Sequence, residues 1–442
     1  MDGCLRRREG LVLGPDQTFP AREPASDVQE PAVDVGRRGW RRFLGVIGPG
    51  VVSGAADTDP TTVATMAVIG AGTIYGLCWL TILLFPIIAV VQIISTQVGA
   101  ASCCDLQTLV TRSRGRLLRW LLLVSIVSVN VVTIAADLEG GAAAVGLLVH
   151  RDWRWFVLPL SVVWLTVLLV IGYHRIQRVL QYVLLCLFSY GAAAFFAFPD
   201  WAAVARGSVI PHVEWTYEYL ADMLSLLGTT LTSYVYVWQT IALAEEQSCP
   251  VALCTRKLDA VLGSFVTVAV CWFILVATGA TLGVHHRHID TAAQAAQALR
   301  PLAGAWAGGL FAVGLLASAL VALPVLLATT AYVTGAQMNW HRGLSCTLRQ
   351  APLFYGALCA AALLGTALAF SGISPIRLLF VAGIIGGIAT PLGLVLLLVA
   401  AGDRRLMNDQ PVSRRIRVAG WLITSAVGGL DLLYLAQQVG TG

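Results

Sequence analysis

Asp59 stands in a stretch of small and apolar residues and is followed at once by Pro60. An acidic side chain at membrane depth costs about 2.5–3.5 kcal/mol on insertion scales, and is kept where it faces a polar cavity or meets a cation. Pro60 has no N–H, so a backbone carbonyl upstream is freed, and unwound carbonyls are ready oxygen ligands for a metal. Asp59 also suits the N-cap of a helix beginning at Pro60, and the two roles are compatible. Asp57 points the same way as Asp59 if the segment is extended and diverges by about 200° if it is helical. It is therefore either a second ligand or a solvated residue of the vestibule leading in, with the vestibule favoured. Asp137 and Glu139 are two more acids within an apolar run. Asp137 serves either as a hydrogen-bonded strut to a neighbouring helix or in an ion or proton pathway. Glu139, about 200° round the helix, does not share the face of Asp137; Glu139 and Tyr234 are candidates with Asp137 for an ion or proton pathway.

The elements that position these groups follow from composition. Of 442 residues, 57% are hydrophobic and only 12% charged, half the charge of an average soluble chain, about 25%. Apolar stretches recur from Leu44 onward, each near the roughly 20 residues that cross a bilayer. They predict an all-α membrane protein with about eleven spans, at 44–70, 76–100, 118–148, 155–173, 178–198, 219–245, 258–284, 305–335, 353–371, 376–400 and 416–438. With the N-terminus in the cytoplasm, all but Arg151, Arg154, Arg206, Arg287, Arg300 and Arg377 of the 29 basic residues fall on the inner side, the bias that sets orientation. The net charge of +5 is thus no sign of nucleic-acid binding. Residues 1–39 read as a disordered basic cytoplasmic tail before a transmembrane domain over 40–442, in the inner cell membrane. The ten cysteines show no zinc-finger spacing and no disulfide framework. His285, His286 and His288 share an external loop, either to gather metal ions or simply solvated.

Two spans carry signs of interruption. The first reads Gly48-Pro49-Gly50, then Gly54, Asp57, Asp59 and Pro60, which does not suit a continuous helix. The sixth holds Gly228-Thr229-Thr230-Leu231-Thr232-Ser233, whose hydroxyls can satisfy backbone groups freed by unwinding. Gly228 and Thr229 are the expected backbone break there, as Pro60 is in span one. Two broken helices five spans apart point to an inverted repeat with its site at the breaks.

Gly48-Pro49-Gly50 followed by Asp59-Pro60-Thr61-Thr62 resembles the first span of the NRAMP metal transporters, which place Asp-Pro-Gly-Asn at this offset. Ala136-Asp137-Leu138, Pro199-Asp200-Trp201, Leu226-Leu227-Gly228, Leu310-Phe311-Ala312 and Asp403-Arg404-Arg405-Leu406-Met407 extend the similarity over about residues 40–440. The resemblance implies a fold like that of the LeuT transporter: two inverted five-helix repeats, about 44–198 and 219–400, plus an extra helix at about 416–438. It implies a divalent metal ion as cargo, no permanently bound cofactor, and no partner beyond the lipid bilayer. The oligomeric state is left open, with a monomer sufficient.

The departures shape the rest. The family's Asn ligand corresponds to Thr62, its Met-Pro-His run to Thr232-Ser233-Tyr234, and its span-ten Gln to Ala389, so Asp59 alone survives among the side-chain ligands. Metal residues are expected at Asp59, Thr62, Thr232 and Asp57. An all-oxygen site suits hard cations, and Mg²⁺ gives up water reluctantly, which resembles the divergent NRAMP-related magnesium transporters. Mg²⁺ or Mn²⁺ is expected before Fe²⁺. The family's Glu three residues after the span-three Asp is Gly140 here, and its span-six His is Tyr234, with no useful pKa near neutrality. Alternating-access uptake with weak or no proton coupling follows.

Other classes fit less well. A cation-coupled symporter of a small organic solute on the same fold is the alternative, but unpaired Asp57 and Asp59 would repel an anionic solute. An intramembrane enzyme is disfavoured, since His-Glu-x-x-His, Gly-x-Ser-x-Gly and phosphate-loop motifs are not found. A metal sensor would need a cytoplasmic output domain.

Overall fold

The computed structural model describes residues 49–113, 115–170, 180, 182–245, 253–284, 292–371, 390–408 and 410–441. The expected tail, Ala389 and the external histidines lie outside the described residues.

The first predicted span is two helices, α1 (Pro49–Ala56) and α2 (Pro60–Thr73), with Asp57, Thr58 and Asp59 between them. Asp59 adopts φ −68°, ψ 165°, the extended geometry that a following proline imposes. Pro60 then occupies the first helical position, where a missing N–H costs nothing. Next come α3 (Cys78–Ser102), a short α4 (Leu106–Ser113), α5 (Arg116–Val149) and α6 (Arg154–Val170). The fifth span is represented by α7 (Ser189–Phe196), from which α8 (Trp201–Val209) turns back at 118°, capped by Asp200.

The sixth span is also divided, into α9 (Tyr217–Thr230) and α10 (Ser233–Glu245). The break therefore falls at Leu231 and Thr232. Gly228 and Thr229, expected at the break, lie instead in the last turn of α9. Without a proline to fix it, the helix runs on to Thr230, and Thr229 and Thr230 Oγ1 both donate back to carbonyls in the preceding turn. The chain closes with α11 (Leu253–Thr278), α12 (Ala292–Gln337), α13 (Pro352–Ala369), α14 (Thr390–Gly402) and α15 (Arg414–Thr441).

Among the described residues, six helices are long and apolar enough to cross a membrane unaided. The divided spans fail that test because each half is short. Leu121, Val124, Leu158, Val163, Leu363, Leu364 and Leu422 are exposed, as expected of a surface that faces lipid rather than water. Cys103 is disulfide-bonded, contrary to the expectation from spacing.

The divided spans occupy the middle. Helix α1 packs against α10 and α11, α2 against α5, α9, α11 and α12, and α10 against α3. Span one lies very close to α11. A Cβ added at Gly50 would come within 2.6 Å of Ala260 N, and one at Gly54 would overlap Gly263 O. Small residues at such a seam let backbones touch where lipid supplies no hydrophobic drive. The contact is also polar. Asp259 accepts from Gly50 N at 2.7 Å and Val51 N at 3.3 Å, and Thr267 Oγ1 donates to Gly54 O at 2.6 Å. Helix α11 thus satisfies backbone groups at both ends of α1, which a helix of 8 residues cannot satisfy internally.

Candidate functional site

At the end of α1 the chain frees its last carbonyls, and at the start of α2 it frees N–H groups. Asp59 answers the second need: its Oδ1 accepts from Thr62 N at 2.6 Å, as an N-cap does. Its Oδ2 lies 2.9 Å from the Tyr234 hydroxyl, which is also 2.8 Å from Ala56 O. One phenolic hydrogen thus serves two acceptors, one at a time. Thr62 Oγ1 donates to Thr229 O at 3.3 Å, across to the last turn of α9. Asp59, Thr62, Thr229 and Tyr234 are therefore one hydrogen-bonded group joining both breaks, and all four residues are buried.

Two more acids flank it. Asp57 is fully buried and accepts from Thr232 Oγ1 at 3.3 Å, while its Oδ2 has no hydrogen-bond partner. The favoured reading of Asp57 as a solvated vestibule residue is thereby corrected: the turn after α1 directs its side chain at the span-six break. Asp137, on α5, accepts from Thr61 Oγ1 at 3.1 Å and leaves its Oδ2 unpartnered. It does link to span one, through a side chain. Glu139 is buried, its Oε2 also lacks a partner, and no hydrogen bond joins it to this group.

No Lys, Arg or His among the described residues forms a salt bridge with Asp57, Asp59 or Asp137. Three carboxylates share a buried region without a protein counter-charge. Buried carboxylates normally pair with a cation, a metal or a proton. Both kinds of helix end meet at the breaks: α2 and α10 begin there with free N–H groups, one of them met by Asp59, and α1 and α9 end there with carbonyls that can face a cation. Ala56 O, Thr229 O, Asp59 Oδ2 and the hydroxyl oxygens of Thr62 and Tyr234 make an all-oxygen set. Among the described residues no three His, Cys, Asp or Glu side chains converge as a metal cage. An ion held here would rest on one carboxylate with neutral oxygens and water.

Three supporting residues escaped the sequence reading. Asp259 and Thr267 hold α1 in place, and Thr390 Oγ1 donates to Leu231 O at 3.0 Å, satisfying the carbonyl exposed by the second break. A buried acid one residue before Ala260 and four before Gly263, at the start of an apolar run, was the only local hint of Asp259.

A family model described as "Natural resistance-associated macrophage protein-like" matches residues 50–437. The divalent metal cation transporter MntH of Deinococcus radiodurans is 28% identical over 420 residues, covering 92% of each chain. The manganese transporter of Eremococcus coleocola superposes with a TM-score of 0.69 at 19% identity, over 91% of this chain and 88% of that one. Mhp1, a nucleobase-cation-symport-1 family transporter in a closed conformation, superposes with a TM-score of 0.56 at 13% identity, over 89% and 93%. The two structural likenesses establish a common fold, and the match of the family model along nearly the whole transmembrane region means that this chain belongs to the Nramp family.

Proposed function

We propose that the protein moves a divalent metal ion across the membrane by alternating access, with Mg²⁺ or Mn²⁺ preferred to Fe²⁺. It is a transporter rather than an enzyme, and the ion is cargo, with no resident cofactor required. The observation that carries this reading is the buried Asp59 carboxylate, set where both divided spans meet and paired with no basic side chain among the described residues. A relative that is a divalent metal cation transporter and a like-folded manganese transporter support it. So do the two divided helices five predicted spans apart, which suit an inverted pair of five-helix repeats over about 44–198 and 219–400. The test is uptake of Mg²⁺, Mn²⁺ and Ca²⁺ into proteoliposomes, with amino acids as the competing solute class. Flux of an organic solute and of no metal would replace this reading with that of a solute symporter.

Preference among metals follows from the atoms offered. Thr232 supplies a hydroxyl, and a thioether there would favour softer transition metals. Thr232→Met is therefore expected to raise the Mn²⁺-to-Mg²⁺ uptake ratio severalfold, measured by competition in the same vesicles. An unchanged ratio would remove Thr232 from the selectivity of the site.

Coupling is expected to be weak. Gly140 carries no acid to partner Asp137, and Tyr234 replaces a group that titrates near neutrality. A divalent ion entering down 100 mV gains about 4.6 kcal/mol, which suffices to drive uptake. A pH-sensitive dye trapped in the vesicles should report the same proton movement with and without metal. Acidification that rises in proportion to metal uptake would refute this.

A further inference from the structure

Beyond the site just described, α3 and α10 face each other with two glutamines whose carbonyl oxygens are unmet. Gln92 Nε2 donates to Ser53 Oγ at 3.3 Å, and Ser53 Oγ donates to Val235 O at 3.1 Å. Gln239 Nε2 donates to Thr96 Oγ1 at 3.0 Å. Gln92 and Thr96 are four residues apart on α3, as Val235 and Gln239 are on α10, so the two bonded layers stack about 6 Å apart, one helical turn. In each layer the amide nitrogen is fixed by an acceptor, and both glutamines are buried, yet neither Oε1 has a partner. An unmade buried acceptor is costly; Gln97, Gln107 and Asn130 also leave an amide oxygen unmet, but Gln92 and Gln239 are the pair that lies in successive layers between α3 and α10. Helix α10 starts at the span-six break and runs to Glu245, the end that the basic loops assign to the cytosol. The layers therefore lie along α10 between the Asp59 group and that end.

We infer that Gln92 Oε1 and Gln239 Oε1 form a second stop for the divalent cation on its way out of the Asp59 site. The inference rests on the metal-transport reading above. Hard cations take amide carbonyl oxygens readily. Uncharged oxygens bind firmly enough to receive the ion and weakly enough to release it, the condition for passage through successive sites. A carboxylate at the same level would hold the ion back.

The test uses the full chain in proteoliposomes with Mn²⁺ as the probe, alongside calorimetric Mn²⁺ affinity in detergent. Gln92→Leu and Gln239→Leu are expected to lower maximal flux about tenfold, the scale of one lost contact to a charged group, while the dissociation constant stays at the parent's value. Gln239→Glu, nearly isosteric and suited to folding where leucine is not, is expected to tighten Mn²⁺ binding and also slow flux. Leucine variants with parental flux, or a glutamate variant with parental affinity and flux, would overturn the inference while leaving metal transport intact. A parent that carries no Mn²⁺, Mg²⁺ or Ca²⁺ would overturn both.

Discussion

Asp59→Asn vesicles are expected to take up divalent metal at least about a hundredfold more slowly than the parent, because one charged oxygen ligand has gone from a buried site, while the folded protein should be nearly as stable. The contrast with Asp59→Ala separates two roles of one side chain. Asp59 Oδ1 caps α2 through Thr62 N, and asparagine caps a helix about as well as aspartate does. Alanine loses both the cap and the charge, and should cost about 1 kcal/mol of stability in addition. Metal-dependent thermal stabilisation in detergent, read for both variants, distinguishes them. Both should lose the rise in melting temperature on adding Mn²⁺, since a ligand stabilises only the state it binds. Only the alanine variant should melt earlier without metal. Parental flux in the asparagine variant would reduce Asp59 to a cap and leave the transport proposal without its binding group.

The reach of the sequence can be judged on the same residues. The span-one break was legible because Asp59-Pro60 encodes it locally: proline sets its own φ, restricts its predecessor and lacks a donor. The span-six break was legible only in kind. No proline marks it, and α9 runs on past Gly228 and Thr229 to Thr230 before it yields. Asp57 was misjudged because its environment is made by Thr232, which is 175 residues away. Asp259, Thr267 and Thr390 were missed for the same reason, since their partners are fixed by packing between spans and no spacing within a span reveals them. Hydropathy located the six long apolar helices among the described residues because lipid exposure leaves a long apolar signal. It carries little about which polar atoms meet inside.

That packing makes Gly263 the position with the largest expected effect on folding. A Cβ there would overlap Gly50 O, and the obstacle is backbone, which no side-chain rotation relieves. Valine at this position would force α1 away from α11. Asp259 would then lose its bonds to Gly50 N and Val51 N, and Thr267 its bond to Gly54 O. Overpacking alone costs about 1–3 kcal/mol, occasionally more, and breaking buried hydrogen bonds to a charged group adds about 1.5–3 kcal/mol each. Gly263→Val is therefore expected to lower the melting temperature sharply or to abolish recovery of folded protein. Any variant protein recovered should bind Mn²⁺ more weakly, since α1 carries Ala56 O to the Asp59 site. Gly72 is the control: an added Cβ there meets nothing within 4 Å, and Gly72→Ala should stabilise α2 by about 0.5–1 kcal/mol, the ordinary gain of alanine over glycine inside a helix. If Gly263→Val melts with the parent, the close seam between spans one and seven does not hold the first half-helix, and the anchoring of the Asp59 site must come from α2 and α10 instead.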